Sequence, residues 1–350
     1  PFNTTPWLNS LSKDKKFLKF NNVYASHTHT TAALLGSFSL CMKQSKENCS
    51  TKLKDKEHNL SVIDAFNKVK IDTYLFSTQG SLGGHNLGNK LVFNTKKKFF
   101  SSEENEKKNN NQKFLGNRYK SYLDDLKFFQ KSICKNNEIF KSTNPSLTLL
   151  HSYAGHGQYN GYLGFLPSNV KFEYPEYIQG RNFLGKDHDN LRMVNEYDTA
   201  IRYIDSSLET VFNCTNAKSK SHSQPMIFIY FSDHGESPAS GRGHDSMRLT
   251  YEMLHVPLII YFNDEAYNLH REKFEKLKTL ENKNITLRFI SDLIIYLYDL
   301  DIQNKKSAQV YNSDKFKSLS SKFIVERKIL DNSITKLQTF WEYDRKLVED

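Results

Sequence analysis

The feature that most constrains this chain is a set of short apolar runs that each end in polar, chemically capable residues. Residues 225–231 (PMIFIYF) lead into Ser-Asp-His, residues 146–150 (SLTLL) lead into His151, and residues 70–77 (KIDTYLFS) lead into Thr-Gln-Gly. Nearly continuous apolar strands indicate a sheet that is buried on both faces. Apolar residues also recur at helical spacing in three stretches, at 60–69, 191–212 and 285–298. The alternation predicts an α/β fold with a mostly parallel central sheet, helices on both faces, and ligands beyond the carboxyl ends of the strands.

The composition is that of a globular chain rather than a disordered one. The 350 residues are 38% hydrophobic and include 25 Phe and 19 Tyr, enough for a sizeable core. The longest apolar runs are far shorter than the roughly 18 residues that cross a bilayer. The net charge of +10 is spread along the chain without a zinc-finger, RNP-like or helix-turn-helix signature, so we expect no nucleic-acid partner. A basic face against an anionic membrane surface explains the charge equally well.

The chain divides into a large domain and a charged tail. We assign residues 1–300 to one catalytic domain and residues 301–350 to a charged helical appendage. The Lys/Asn/Glu-rich run near residues 94–113 is predicted to be an exposed, mobile insertion. Because the chain starts at Pro1 without a signal peptide, we expect a longer polypeptide with a targeting or membrane segment upstream.

The four cysteines form no CxxC pair, which argues against a zinc knuckle or a thioredoxin-type site. Cys41 and Cys49 are only eight residues apart, so a local disulfide is permitted in an oxidising compartment. Four unlinked thiols in a reducing cytosol remain the alternative.

The strongest local signal is the segment at residues 230–237, YFSDHGES. Asp233 and His234 follow an apolar strand and precede a glycine, an arrangement that presents one oxygen and one nitrogen ligand to a divalent cation. The alternative is a turn in which Asp233 caps a helix. The loop HSYAGHG also follows a strand and contains two further histidines, while His244 lies ten residues beyond His234. Histidines on several strand-end loops indicate a metal or phosphate site.

A nucleophile is expected in residues 26–35, SHTHTTAALL. Hydroxyls begin where an apolar, helix-like stretch starts, and the amino terminus of a helix favours an anion. A threonine bound to zinc can lose its proton near neutral pH. The alternative is that the hydroxyls only cap the helix.

Six segments in this order resemble those of the metal-dependent phosphoethanolamine transferases, within the alkaline phosphatase and sulfatase superfamily. The resemblance covers residues 1–300, and its most specific segment is YFSDHGES. The other five are NTTPWL at 3–8, FNNV at 20–23 with Thr28, TYLFSTQ at 73–79, HSYAGHG at 151–157 and VNEYD at 194–198.

The resemblance implies a role for each matching residue. Thr28 would be the nucleophile, and Asp233 and His234 would bind zinc together with the Thr28 oxygen. His156 and His244 would bind the phosphoryl group or a second metal. His151 matches a further family histidine near the substrate. Gln79, with Ser77 and His85, lies in the loop where the family places substrate-binding groups. The family also has an acidic zinc ligand on a strand upstream of the TTPxL segment, so we expect the domain to lack its first strand and one ligand.

The implied activity is zinc-dependent transfer of phosphoethanolamine from phosphatidylethanolamine to an acceptor through a phosphothreonine intermediate. The acceptor would be lipid A, a core sugar of lipopolysaccharide or another envelope glycan. The expected location is the periplasmic face of a bacterial inner membrane, with attachment through an N-terminal segment missing here. An oxidising periplasm would make Cys41–Cys49 the first disulfide to test.

Two other functions remain open. A phosphoglycerol transferase shares the threonine and zinc chemistry, and a non-catalytic envelope-binding domain would tolerate a missing ligand. A sulfatase is less expected because no Cys-x-Pro-x-Arg or Ser-x-Pro-x-Arg motif is present.

Overall fold

A computed structural model gives the fold of the chain. It describes residues 3–40, 61–78, 95–101, 125–135, 138–141, 144–157, 159–164, 188–241, 243–245 and 250–300. The expectations for Gln79, His85, the Cys41–Cys49 pair and the tail at 301–350 lie outside the described residues.

The described strands form two three-stranded sheets and one two-stranded sheet. The strands are β1 (Phe17–Phe20), β2 (Asn22–Tyr24), β3 (Asp72–Ser77), β4 (Lys97–Phe100), β5 (Ser146–His151), β6 (Ile227–Phe231), β7 (Leu258–Phe262) and β8 (Asn284–Thr286). In the order β4-β3-β5 all neighbours are parallel, as are β2 and β8. In the order β1-β7-β6 the central strand runs antiparallel to both neighbours. The described sheets therefore include both parallel and antiparallel strand pairs. The predicted parallel arrangement holds for the β4-β3-β5 and β2-β8 sheets but not for the β1-β7-β6 sheet.

Ten α-helices connect and cover these strands within the described residues. They are α1 (Pro6–Leu11), α2 (Thr30–Phe38), α3 (Val62–Lys68), α4 (Asp125–Phe129), α5 (Glu138–Lys141), α6 (His188–Ser221), α7 (Tyr251–Leu254), α8 (Asp264–Leu269), α9 (Arg271–Lys278) and α10 (Phe289–Leu297). A π-helical turn, Gln130–Cys134, continues α4. A capping box formed by Ser61 and Asp64 starts α3, which satisfies backbone N–H groups that the helix itself leaves without acceptors.

Strand β4 changes the interpretation of the run near residues 94–113. The first part of this run, predicted to be an exposed insertion, pairs with β3 in parallel register. Phe99 stacks on Phe76 with ring centroids 4.6 Å apart, and Phe100 is buried. The two aromatic side chains therefore explain why a Lys-rich segment joins the sheet. The rest of the run lies beyond the described part of the chain.

Strand β3 contributes to a hydrophobic core on each face of its sheet. Leu75 belongs to the main core, which includes residues of α2, α3 and α10. Tyr74 and Phe76 belong to a second cluster with residues of α4, the π-helical turn and α6. Because alternate side chains of a strand point to opposite faces, the two clusters confirm that helices cover both faces.

Helix α6 connects the two three-stranded sheets. Its Val211 packs in the same cluster as Phe76 of β3. The next residue, Phe212, makes edge-to-face contacts with Phe228 of β6 and Tyr261 of β7, at 5.5 and 4.9 Å between centroids. A single helix therefore packs against both sheets.

A disulfide joins α6 to the end of the π-helical turn. It pairs Cys134 with Cys214, whose Cα atoms are 5.5 Å apart. This pairing was not predicted, and it overturns the alternative of four unlinked thiols. The bond links residues 80 positions apart in the sequence.

A cavity of about 850 Å³ lies between β5 and β6 and is lined by residues along both strands. Among the described strands, β5 pairs only with β3 and β6 only with β7. Each strand therefore has one edge without a strand partner in the described structure. The cavity extends to the carboxyl ends of both strands, where Thr30, His156 and Asp233 contribute to its wall.

Candidate active site

The turn after β6 is fixed by backbone contacts with α7. The N–H of Gly235 donates a hydrogen bond of 2.8 Å to the carbonyl of Met253. A Cβ atom at position 235 would lie 2.0 Å from the carbonyl oxygen of Glu252, so only glycine fits. The Ser232 hydroxyl donates to the carbonyl of His234 at 2.6 Å. This tight turn directs His234 inward, where it is 7% exposed.

Asp233, His234 and Thr30 converge at the end of β6. The Oδ2 atom of Asp233 lies 3.8 Å from Nε2 of His234. The Oγ1 atom of Thr30 lies 3.5 Å from the same nitrogen. Nδ1 of His234 lies 3.0 Å from the carbonyl oxygen of Gly235. A proton on Nδ1, donated to this carbonyl, would leave Nε2 free to bind a cation. Metal-bound histidines commonly donate their other ring N–H to a nearby oxygen in this way.

The two candidate threonines occupy different environments. Thr30 is the first residue of α2 and lies on the cavity wall. Thr28 is fully buried, and its Oγ1 atom has no hydrogen-bond partner among the described residues. Thr30 is thus the threonine that the structure places beside His234, whereas the role predicted for Thr28 stays a prediction.

Glu236 links two further side chains of the site. Its Oε1 atom lies 3.0 Å from Nδ1 of His244, and its Oε2 atom accepts a 2.8 Å hydrogen bond from the hydroxyl of Tyr159. A Cβ atom at Gly243 would lie 2.5 Å from Oε2 of Glu236, so a side chain there would displace the carboxylate. The hydrogen bond to Glu236 raises the pKa of His244, which favours a proton on both ring nitrogens.

Imidazole rings surround His244. The ring centroid of His234 lies 4.4 Å from that of His244, and those of His156 and His29 each lie 5.2 Å away. Burial lowers the pKa of His156 and of His29. The site therefore combines His244, which favours its protonated form, with His156 and His29, which favour the neutral form.

His151 lies at the end of β5, on the other side of the cavity. Its Nδ1 atom is 3.1 Å from the hydroxyl of Ser77. Burial lowers the pKa of His151, and the charge of Asp233 opposes that change. The structure thus brings His151, His156, Asp233, His234 and His244 to one end of the two sheets.

The donor chemistry of the site fits a divalent metal. One ligand atom from each of His234, Glu236 and His244 lies within 4.8 Å of the others. Asp233 and Thr30 add oxygen atoms next to His234. Imidazole nitrogens with carboxylate and hydroxyl oxygens form a donor set that suits zinc.

A family comparison decides the classification. The sulfatase family model matches residues 1–282. The chain belongs to the sulfatase family. This match confirms the resemblance to the alkaline phosphatase and sulfatase superfamily and the corresponding fold. No characterised protein matches the chain by sequence comparison alone.

Solved structures show the same fold at low identity. The C-terminal periplasmic domain of EcEptC from Escherichia coli, in complex with zinc, is 19% identical with a TM-score of 0.59, over 84% of this chain and 75% of that one. The integral membrane lipooligosaccharide phosphoethanolamine transferase A from Neisseria meningitidis is 16% identical with a TM-score of 0.57, over 93% of this chain and 54% of that one. The lipoteichoic acid synthase LtaP from Listeria monocytogenes is 12% identical with a TM-score of 0.53, over 99% of this chain and 86% of that one.

The sequence interpretation left out several residues of the site. Thr30, His29, Glu236 and Tyr159 all contact residues that were singled out from the sequence. Glu236 could have been found because it lies two residues after His234 in a turn, and carboxylates commonly orient histidines. Tyr159 carries no such signal in the sequence.

Proposed function

We propose that this chain is the catalytic domain of a zinc-dependent phosphoethanolamine transferase in which Thr30 forms the covalent intermediate. The observation that carries the proposal is the 3.5 Å distance between Oγ1 of Thr30 and Nε2 of His234, next to the carboxylate of Asp233. A hydroxyl beside a metal-binding pair is the arrangement that activates a nucleophile. Thr28 is fully buried and its Oγ1 atom has no hydrogen-bond partner among the described residues, so it is the less favoured threonine.

The chemistry takes place in two displacements at phosphorus. Oγ1 of Thr30 attacks the phosphorus of phosphatidylethanolamine, the bond to the glyceride oxygen breaks, and that oxygen takes up a proton as diacylglycerol leaves. The proton lost by Thr30 balances the proton gained by the leaving group. In the second step an acceptor hydroxyl attacks the phosphorus, the bond to Oγ1 breaks, and Thr30 recovers a proton.

The histidines around the cavity would position the phosphoryl oxygens. Nδ1 of His244 is hydrogen-bonded to Glu236, so Nε2 is the nitrogen that can donate to a phosphoryl oxygen. His156 lies beside it and would contact the same group. Hydrogen-bond donors fixed before the reaction stabilise charge that develops in the transition state.

Zinc would be held by Asp233, His234 and the Thr30 oxygen, and when bound it would act as a Lewis acid that lowers the pKa of the threonine hydroxyl. The zinc complex of the structurally similar EcEptC domain supports this choice of metal. Zinc content measured by plasma mass spectrometry would fall in an Asp233→Asn variant. Equal zinc content in wild type and variant would contradict the proposed ligand set.

The similar structures support the proposed location and partners. One is named a periplasmic domain, and another is an integral membrane lipooligosaccharide phosphoethanolamine transferase. We therefore place this domain at the periplasmic face of an inner membrane, with phosphatidylethanolamine as donor and a lipopolysaccharide or other envelope glycan as acceptor. No helix among the described residues is long and apolar enough to cross a membrane.

Peptide mass spectrometry tests the nucleophile and the donor together. Zinc-loaded protein is incubated with phosphatidylethanolamine or phosphatidylglycerol in detergent micelles, and the adduct is located by fragmentation. We expect a phosphoethanolamine adduct on Thr30 that disappears in Thr30→Ala and remains in Thr28→Ala. An adduct on Thr28 that survives Thr30→Ala would overturn the assignment of Thr30.

A phosphoglycerol transferase is the second candidate, favoured by the similarity to LtaP over 99% of this chain. A phosphoglycerol adduct on Thr30, formed from phosphatidylglycerol alone, would establish it instead. Zinc-containing protein without an adduct from either lipid would favour a non-catalytic envelope-binding domain.

A further inference from the structure

Asp125 is a fully buried carboxylate that the proposed mechanism does not use. It is the first residue of α4 and is 0% exposed. Its Oδ2 atom accepts hydrogen bonds from the Ser152 hydroxyl and, at 2.7 Å, from the N–H of Ala154. Its Oδ1 atom is buried and has no hydrogen-bond partner among the described residues. Burial of an ionisable group is costly, so this carboxylate requires an explanation.

The contacts of Asp125 fix the loop that follows β5. Ser152 and Ala154 lie on either side of Tyr153, and Tyr153 is itself held at both ends of its backbone. Its N–H donates to Oγ1 of Thr78 at 2.9 Å, and its carbonyl accepts from the hydroxyl of Tyr162 at 2.9 Å. The backbone around Tyr153 is therefore determined by several hydrogen bonds from neighbouring elements.

The ring of Tyr153 in turn supports a histidine of the site. It stacks on the ring of His156 with centroids 4.7 Å apart and an interplanar angle of 24°. The N–H of His156 also donates to the carbonyl of Tyr153 at 3.2 Å. His156 then contacts His244 across the cavity end. A continuous series of contacts thus runs from Asp125 through Tyr153 to His156.

We propose that Asp125 is a positioning residue for the site: it fixes the loop at residues 152–154 so that Tyr153 holds His156 in place for a phosphoryl group. The assignment rests on the proposed function only in naming a phosphoryl group as the ligand. The hydrogen bonds and the ring stacking are independent of that function.

Orthophosphate binding to zinc-loaded protein, measured by calorimetry, tests this role. Removal of a group that orients a metal-bound histidine typically costs about 10- to 100-fold. Because Asp125 acts on His156 through the loop and Tyr153, we expect a loss at the lower end of this range, about 10-fold, for Asp125→Ala. Asp125→Asn keeps a carbonyl oxygen that can accept both hydrogen bonds, so it should bind orthophosphate within about threefold of wild type. If Asp125→Ala does not fold, Ser152→Ala removes one of the two donors and should still weaken binding.

A double-mutant cycle separates positioning from general destabilisation. If Asp125 acts through His156, the double variant with Asp125→Ala and His156→Ala should bind no more weakly than His156→Ala alone, because groups that act together are not additive. Losses that multiply would overturn the proposal, as would unchanged binding in folded Asp125→Ala or, if that variant does not fold, in Ser152→Ala.

Asp205 provides a matched control. It is also a fully buried carboxylate, but it accepts hydrogen bonds from the N–H groups of Trp7 and Leu8 at the start of α1. Asp205→Ala should lower the free energy of unfolding. The folded fraction of this variant should still bind orthophosphate with the affinity of wild type. An equal loss in the two variants would show a purely structural role for Asp125.

Labelling of His156 with diethyl pyrocarbonate gives a readout that requires no ligand. Loss of stacking on Tyr153 should increase the labelling rate of His156 in Asp125→Ala, and an unchanged rate would contradict the proposal. If the wild type binds orthophosphate but forms no adduct on Thr30, the proposed function is wrong. The comparison of Asp125 variants for orthophosphate binding and His156 labelling remains valid in that case.

Discussion

Nδ1 of His244 and Oε1 of Glu236 lie 3.0 Å apart, so the carboxylate both orients the ring and raises its pKa. Glu236→Gln removes the negative charge and should lower the pKa of His244. Loss of such an orienting partner typically costs about 10- to 100-fold, and we expect a decrease of that size in kcat/KM for phosphoethanolamine transfer. NMR titration of the His244 ring checks the pKa.

Tyr159→Phe is the matched control for this prediction. It removes only the hydroxyl that donates to the other carboxylate oxygen, Oε2 of Glu236. The charge beside His244 stays, so the pKa of His244 should change less than in Glu236→Gln. The same pKa in wild type and Glu236→Gln would contradict the assigned pairing.

The glycine after His234 should not tolerate a side chain. A methyl group at Gly235 would overlap the carbonyl oxygen of Glu252, at 2.0 Å. We expect Gly235→Ala to lower the free energy of unfolding by about 2 kcal/mol or more and to reduce zinc content, because the turn that holds His234 must open. At Gly157 a Cβ atom meets nothing within 4 Å. Gly157→Ala should therefore lie within about 0.5 kcal/mol of wild type in urea unfolding.

The disulfide between Cys134 and Cys214 should contribute to stability. Loss of a native disulfide typically costs about 2–5 kcal/mol, and the 80-residue separation of these cysteines places the effect in this range. A variant with both cysteines replaced by alanine should melt at a lower temperature than oxidised wild type. If the two melt at the same temperature under oxidising conditions, the bond contributes nothing.

The stability of the fold should depend on pH through Asp125. Burial raises the pKa of Asp125 to about 6, from an ordinary value of 3.8. The folded chain therefore binds this proton more tightly than the unfolded chain, and stability from this group falls as pH rises from about 4 to about 6.

Asp125→Asn does not ionise and avoids this loss. Its free energy of unfolding relative to wild type should be higher at pH 7.5 than at pH 4 by about 2 kcal/mol, somewhat less than the full pKa shift because the unfolded carboxyl is already partly ionised at pH 4. Urea unfolding of both proteins at the two pH values measures the difference. A difference that is the same at pH 4 and pH 7.5 would contradict the raised pKa.

The parts of the site that follow strands could be predicted from the sequence. Asp233 and His234 come two and three residues after the end of β6, and His151 and His156 come at the end of β5 or just after it. Because ligands of open α/β sheets bind beyond the carboxyl ends of the strands, the pattern of apolar runs was enough to group these side chains.

The threonine that lies beside His234 could not be predicted in the same way. Each step along a helix turns the side chain by about 100°, and several of the hydroxyl residues in 26–35 could equally start the helix. The two-residue difference between Thr28 and Thr30 therefore decides which hydroxyl faces His234. The pairing of Cys134 with Cys214 and the antiparallel direction of β7 depend on long-range packing, which an apolar run does not encode.

The separation of β5 from β6 has a mechanical consequence for the site. His151 and His156 belong to the β4-β3-β5 half, whereas Asp233 and His234 belong to the other half. Among the described residues, no hydrogen bonds between strands join the two halves, and α6 packs against both of them. The spacing across the site is therefore set by side-chain packing, through Val211 and Phe212 of α6 on one face and through the main hydrophobic core, which contains residues of both halves, on the other. Substitutions at Val211 or Phe212 should therefore change the distance between the two groups of histidines without touching either group.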